Sequence, residues 1–213
     1  MRVAAQSITG RRAHSAVQEL RRRDPLLRAW IDRAGPLRIE GRRDPFLSLA
    51  EAIVYQQLSG KAAATIWKRF EMLFPARRVR PAGVVALSDG RMRSCGLSRQ
   101  KAAYLRDLSA HFHDGRLEAR VLRRLGDEEA IETLTRVKGI GRWTAEMFLI
   151  FCLKRPDVWP VDDLGVLKGL QRLFGLRRLP ARSRALVLGE RWRPHRSVAT
   201  WYLWRGLDAG GVG

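Results

Sequence analysis

Apolar residues recur along this chain at helical intervals, and no stretch alternates apolar and polar residues long enough to read as a strand. The segment DPFLSLAEAIVYQQLSG sets the pattern. Asp44 suits an N-cap and Pro45 a first helical position. Phe46, Leu49, Ala50, Ile53 and Val54 then share one face. Gly60 interrupts the run, and KAAATIWKRFEMLF predicts the next helix, which stops before Pro75. Further helices are predicted over 81–87, 98–113, 127–137, 141–153, 164–174, 181–192 and 197–207. A short extended piece fits near residues 37–40. The expected fold is all-α, with about ten helices on short loops and no solenoid repeat.

Composition narrows the class. The 213 residues are 46% hydrophobic, enough to bury a core in one large domain or two small ones. A wholly disordered basic tail is excluded. No apolar run reaches the roughly 18 residues of a membrane span, and the opening MRVAAQSITGRRAH lacks a signal-peptide core. The expectation is an intracellular protein with no membrane partner. Cys95 and Cys152 are the only cysteines, which excludes a four-thiolate zinc site or iron–sulfur cluster.

The net charge of +20, from 41 basic and 21 acidic residues, points to a polyanion, with nucleic acid ahead of a membrane surface. Only 6 of the 41 basic residues are lysine, so codon bias is an alternative account of their type. Bias exchanges Lys for Arg, however, and creates no excess over acids. The surplus is uneven: residues 1–43 hold 11 Arg against 4 acids, and residues 176–205 hold 8 Arg against Glu190 alone. Asp127, Glu128, Glu129 and Glu132 form an acidic patch.

Two helical patterns in IETLTRVKGIGRWTAEMFLIF are separated by Lys138-Gly139-Ile140-Gly141. Two glycines around one aliphatic residue permit a tight turn with positive φ and leave backbone N–H groups uncovered. The following helix N-terminus would aim those donors at an anion, with Arg142 and Thr144 adding contacts and Ile140 plugged into the core. Such a clamp positions a protein on DNA without reading bases. A helix-ending glycine pair reads the same way, so the turn alone leaves both accounts open. Downstream, Asp162 and Asp163 stand at the mouth of a helix starting at Leu164. One is explained as an N-cap. A second anion beside a phosphate-binding turn is misplaced for binding DNA but suits stabilisation of positive charge on a sugar.

VKGIGRWTAEMFLIF followed by VWPVDDLG closely resembles the helix-hairpin-helix DNA glycosylases, in particular the alkylpurine, 3-methyladenine DNA glycosylase II branch. AIVYQQLSGKAAATIWKRF is similar to the strand-wedging region of that family, CGLSRQKAAYLRDLS to its middle helix and WRPHRSVATWYLW to its C-terminal pocket helix. The resemblance spans roughly residues 44–206. It implies one helix-hairpin-helix domain over 1–213, in the compact form without the N-terminal β domain of larger members. Two subdomains, 60–160 and 1–59 with 161–213, would flank a DNA-binding cleft.

The resemblance assigns catalysis to Asp163, with Asp162 as its capping or supporting partner. It assigns phosphate binding to Gly139, Ile140 and Gly141. Carbonyls of Thr135, Val137 and Ile140 would hold Na+ or K+, and no cofactor is required. Trp143 stands where strand-cleaving relatives carry a Schiff-base lysine, so a monofunctional enzyme leaving an abasic site is implied. Gln57 and Leu58, followed by Ser59, Gly60 and Lys61, fall in the wedge region. A helix cap at Gln57 and core packing of Leu58 is the alternative there. Trp204, Trp143, Met147, Leu164, Tyr55 and Trp159 would line the base pocket, while Trp201 reads as core and His195 takes no role. Met147 and Leu164 replace tyrosines of a relative, which leaves the substrate range open. The implied activity is excision of alkylated purines such as 3-methyladenine or 7-methylguanine from double-stranded DNA, by a monomer located with the DNA in nucleoid or nucleus. Deaminated or etheno bases, or DNA binding without catalysis, are the competing readings.

Overall fold

The computed structural model describes residues 8–41 and 44–208, so Arg2, Arg42 and Arg43 of the basic N-terminal stretch lie outside the described residues. Among the described residues there are thirteen α-helices and no β-strand. The residues near 37–40 are irregular and carry no ladder. The helices fall into two units, Met1–Glu40 with Leu149–Gly213, and Gly41–Phe148. The expected junctions at 59/60 and 160/161 therefore stand against observed ones at 40/41 and 148/149. The reason lies in the stripe of Phe46 to Val54. It buries against the middle of the chain, with Phe46 meeting the Phe112 ring at 5.4 Å, so its helix belongs with residues 41–148.

In the unit of residues 41–148 the elements are α3 (Pro45–Tyr55), α4 (Gly60–Glu71), a short 3-10 turn (Pro75–Arg77), α5 (Pro81–Ala86), α6 (Asp89–Ser94), α7 (Arg99–His113), α8 (Ala119–Leu122), α9 (Asp127–Thr135) and the start of α10 (Arg142–Phe151). Their starts follow capping chemistry. The side chains of Asp44, Ser59, Ser88 and Ser98 accept the backbone N–H of Leu47, Ala62, Arg91 and Lys101. Helix α7 is the axis of this unit, with α3, α5 and α6 packed on it. Its Leu105 and Leu108 are fully buried.

The other unit holds α1 (Gly10–Arg23), α2 (Pro25–Ala34), α11 (Leu164–Leu173), α12 (Arg182–Glu190) and α13 (Arg196–Asp208). Helix α13 packs on α11, α2 and α1. The core is aromatic: Trp30, Trp159, Trp192, Trp201 and Tyr202 are all buried. Its one buried acid, Asp24, is fully employed. Asp24 accepts the N–H of Leu26 and Leu27 as the cap of α2, and the Trp192 indole N–H at 2.8 Å. A buried carboxylate is tolerated only with such donors.

Candidate active site

The helix-hairpin-helix is formed by α9, the turn 136–141 and α10. Helix α9 ends at Thr135, short of the predicted residue 137, because Val137 and Ile140 close successive turns: the Val137 N–H donates to Leu134 and the Ile140 N–H to Val137, each at 3.1 Å. Ile140 is buried, as the plug reading expects. The two glycines differ. Gly139 has φ +84, and a Cβ there would overlap the Tyr104 ring. Gly141 lacks a positive φ and faces open space. Only one of the pair is therefore demanded by the turn, and the openness at the other suits approach of a bulky anion.

Helix α7 supports this turn from below. Tyr104 lies under Gly139, and the Asp107 carboxylate accepts the Lys138 N–H at 2.9 Å. The N–H groups of Lys138 and Ile140 are engaged within the protein, so an anion at this turn would have to meet Gly139, Gly141 and the first turn of α10 instead. Two expected phosphate contacts are otherwise occupied. The Arg142 guanidinium forks onto Glu128 at 2.6 and 2.9 Å and reaches Glu146 at 3.1 Å. The hydrogen bonds to Glu128, above all, push its pKa up. Thr144 is buried on the inner face of α10. Thr135, Val137 and Ile140 line a groove of about 480 Å³ beside the turn, together with Gln56 and Lys101.

In the same unit the α3–α4 loop presents Gln57 and Leu58 to solvent, and Gln57 adopts φ +56. Leu58 is 40% exposed, so the reading of it as core is excluded. Gln57 is not the cap of α3, since Gln56 holds that place. Ser59 caps α4, and Gly60 and Lys61 open it on the exposed side. Trp143 is 50% exposed, whereas Tyr55 and Met147 are half-buried. A tryptophan left this open is an uncommon surface residue and suits contact with a ligand.

Asp163 belongs to the other unit. It is itself the N-cap of α11, its Oδ1 accepting the Val166 N–H at 2.8 Å. The same oxygen accepts the Trp204 indole N–H at 2.8 Å. Asp162 is therefore not the cap; it is exposed and pairs with the Arg182 Nε at 3.1 Å. Trp204 is half-buried, with its ring stacked on Phe151 at 5.7 Å. Gly165 makes this approach feasible. A Cβ there would fall 2.7 Å from the Trp204 ring and 3.0 Å from Asp163 Oδ1. Leu164, 54% exposed, stands next to the carboxylate. Trp159 departs from expectation. It is buried against Trp192 and Gly189, its N–H satisfied by the Ala185 carbonyl, so it is core and lines no site. Trp201 is core, and His195 pairs with Glu19 at 2.9 Å.

Sequence reasoning missed Gln56, Lys101, Tyr104 and Gly165. Gln56 and Lys101 sit in ordinary helical segments of the sequence, and only their distant partners distinguish them.

The chain matches the family described as HhH-GPD superfamily base excision DNA repair protein over residues 50–194. It is 38% identical over 176 residues to DNA-3-methyladenine glycosylase 1 of Schizosaccharomyces pombe, spanning 80% of this chain and 75% of that protein. Among solved structures, DNA-3-methyladenine glycosidase from Bacillus halodurans superposes with a TM-score of 0.81 at 35% identity, covering 98% of this chain and 93% of the other. The 3-methyladenine DNA glycosylase of Schizosaccharomyces pombe in complex with abasic DNA superposes with a TM-score of 0.78 at 35% identity, covering 89% and 95% of the two chains. The chain, with Asp163 capping α11 and its buttressed glycine turn, belongs to the HhH-GPD superfamily of base excision DNA repair proteins.

Proposed function

We propose that this protein is a monofunctional DNA glycosylase that excises alkylated purines, of the 3-methyladenine and 7-methylguanine type, from double-stranded DNA. The observation that carries the reading is the Asp163 carboxylate, fixed at the head of α11 by Val166 and Trp204. A base alkylated on a ring nitrogen already bears positive charge and leaves readily. The N-glycosidic electron pair departs with the base, and the sugar becomes an oxocarbenium ion. A fixed anion lowers the energy of that ion without having to reorganise. Water then adds at C1′ and loses its proton, leaving an abasic site. Trp143 in place of a lysine supplies no amine for a Schiff base, which supports glycosidic hydrolysis without strand cleavage. The open indole of Trp143 offers a π-face to a cationic base.

The basic surface supplies salt-dependent attraction to any duplex. A monomer suffices, since one chain carries both the carboxylate and the turn, and the protein works where the DNA lies, in nucleoid or nucleus. Thr135, Val137 and Ile140 line one groove, and their carbonyl oxygens would be hard donors of the kind Na+ or K+ takes. A cation there would add positive charge beside a DNA phosphate; the chemistry at C1′ needs no other group.

The test is incubation of methylated DNA with the protein, followed by chromatography of the released bases. Free 3-methyladenine supports the proposal. Release of hypoxanthine or ethenoadenine alone moves the substrate class, and intact DNA leaves only a binding module. A sharper check uses Gly165→Ala. The added methyl displaces Trp204 and Asp163 by fractions of an ångström. Single-turnover excision should fall about 10- to 100-fold, the cost of misplacing a catalytic group. Duplex affinity, measured alongside, should stay close to wild type.

A further inference from the structure

The α3–α4 loop and the glycine turn, distant in sequence, are joined by a single lysine and a single glutamine. Lys101 lies on α7 and is half-buried. Its Nζ donates to the carbonyl oxygens of Val54 at 2.6 Å and Gln56 at 2.7 Å, one in the last turn of α3 and one in its C-cap. A cation at a helix C-terminus meets both the orphan carbonyls and the negative end of the dipole. The Gln56 side chain then reaches across and donates Nε2 to the Gly139 carbonyl at 2.8 Å. The next residue, Gln57, is held at φ +56, a conformation a glutamine adopts only when its surroundings impose it. On the same face of α7, one turn and two turns on, Tyr104 and Asp107 hold Gly139 and Lys138.

We infer that Lys101 and Gln56 are positioning residues that lock the exposed Gln57–Leu58 loop to the phosphate-binding turn, so that gripping a phosphate and wedging the base stack are one event. Lys101 in this account touches no DNA. Its ammonium is committed to the loop carbonyls, and burial draws its pKa below the ordinary lysine value. A base-flipping enzyme must hold the stack open while the base is out. A wedge carried on a loose loop would forfeit that energy to ordering of the loop.

The inference rests on the glycosylase reading, and the test keeps the two apart. Lys101→Met retains the aliphatic stem and removes both hydrogen bonds. Lys101→Arg retains charge and donors. Each is measured on an undamaged duplex and on a duplex carrying a tetrahydrofuran abasic analogue with 2-aminopurine beside it. Lys101→Met should lose most of the 2-aminopurine response and about 10- to 100-fold in single-turnover excision, as a misplaced group does. Affinity for undamaged duplex should stay within about two-fold, and the slope of log affinity against log salt should not move, since no phosphate contact is lost. Lys101→Arg should restore the response. A slope lowered by about one, with both duplexes bound more weakly, would mean a direct phosphate contact and overturn the inference. So would a full fluorescence response and normal excision. If Lys101→Met melts below assay temperature, Gln56→Leu, which severs only the link to Gly139, carries the same test. A wild type that releases no methylated base refutes the glycosylase reading, while the fluorescence comparison still decides the lock.

Discussion

Asp163→Asn should release methylated bases about 10²- to 10³-fold more slowly than wild type, the scale on which single preorganised electrostatic groups act. Asparagine is as good an N-cap as aspartate, and its carbonyl oxygen can accept both the Val166 N–H and the Trp204 indole N–H. The head of α11 therefore keeps its geometry, and the melting temperature should match wild type within measurement. What disappears is one negative charge. That charge opposes the approach of DNA phosphates, so affinity for an alkylated duplex should be equal or higher. A variant that binds and cannot release separates catalysis from recognition. Asp163→Ala is the less informative change, since it also removes the cap, at about 1 kcal/mol. Normal turnover by the asparagine variant would remove Asp163 from the chemistry.

The contrast between Asp163 and Asp162 shows how far the chain could be read before its structure. Local chemistry was legible. Asp44 with Pro45, Ser98 and the first of the paired glycines, Gly139, mark their elements through neighbours within a few residues, and those elements form as that chemistry demands. Four helices stand outside the expected set: α2 repeats at Asp24-Pro25 the Asp-Pro start of α3, a signal that was legible, and the other three are of two kinds. Helices α6 and α8 have 6 and 4 residues, too few for a period to show. Helix α1 buries only Ala16 and Leu20 among its arginines, a stripe too thin to stand out. The site was legible where a residue type carries it and illegible where a distant partner does. Trp159 and Trp204 both stand as pocket candidates in the sequence, Trp204 ahead only through the family resemblance. The structure separates them because Ala185 and Gly189 enclose one while Gly165 brings the other to Asp163. Arg142 is a free cation by sequence, and Glu128, 14 residues earlier, claims it. Lys101 finds its acceptors 45 and 47 residues upstream, beyond any local pattern.

The same dependence on a distant partner makes Gly139 the most sensitive position of the turn. Gly139→Ala meets two penalties. A non-glycine residue at φ +84 costs about 1–3 kcal/mol. Overlap of the new methyl with the Tyr104 ring adds about 1–3 kcal/mol more, as overpacking does. For a chain of this size each kcal/mol lowers the melting temperature by about 2–4 °C, so a drop of roughly 5–20 °C is expected by calorimetry. Excision at a temperature where the variant is still folded should be nearly lost, because the Gln56 bond to the Gly139 carbonyl is displaced with the turn. Tyr104→Ala in the same chain relieves the overlap and leaves the φ cost, so the double variant should recover only part of the stability. Gly141→Ala separates structure from binding. Its methyl points into open space at an ordinary φ, so the melting temperature should hold. If an anion sits at that opening, the methyl meets it, and duplex affinity should fall while the fold stays intact. Equal melting temperatures for the Gly139 and Gly141 variants would refute the division of labour between the two glycines.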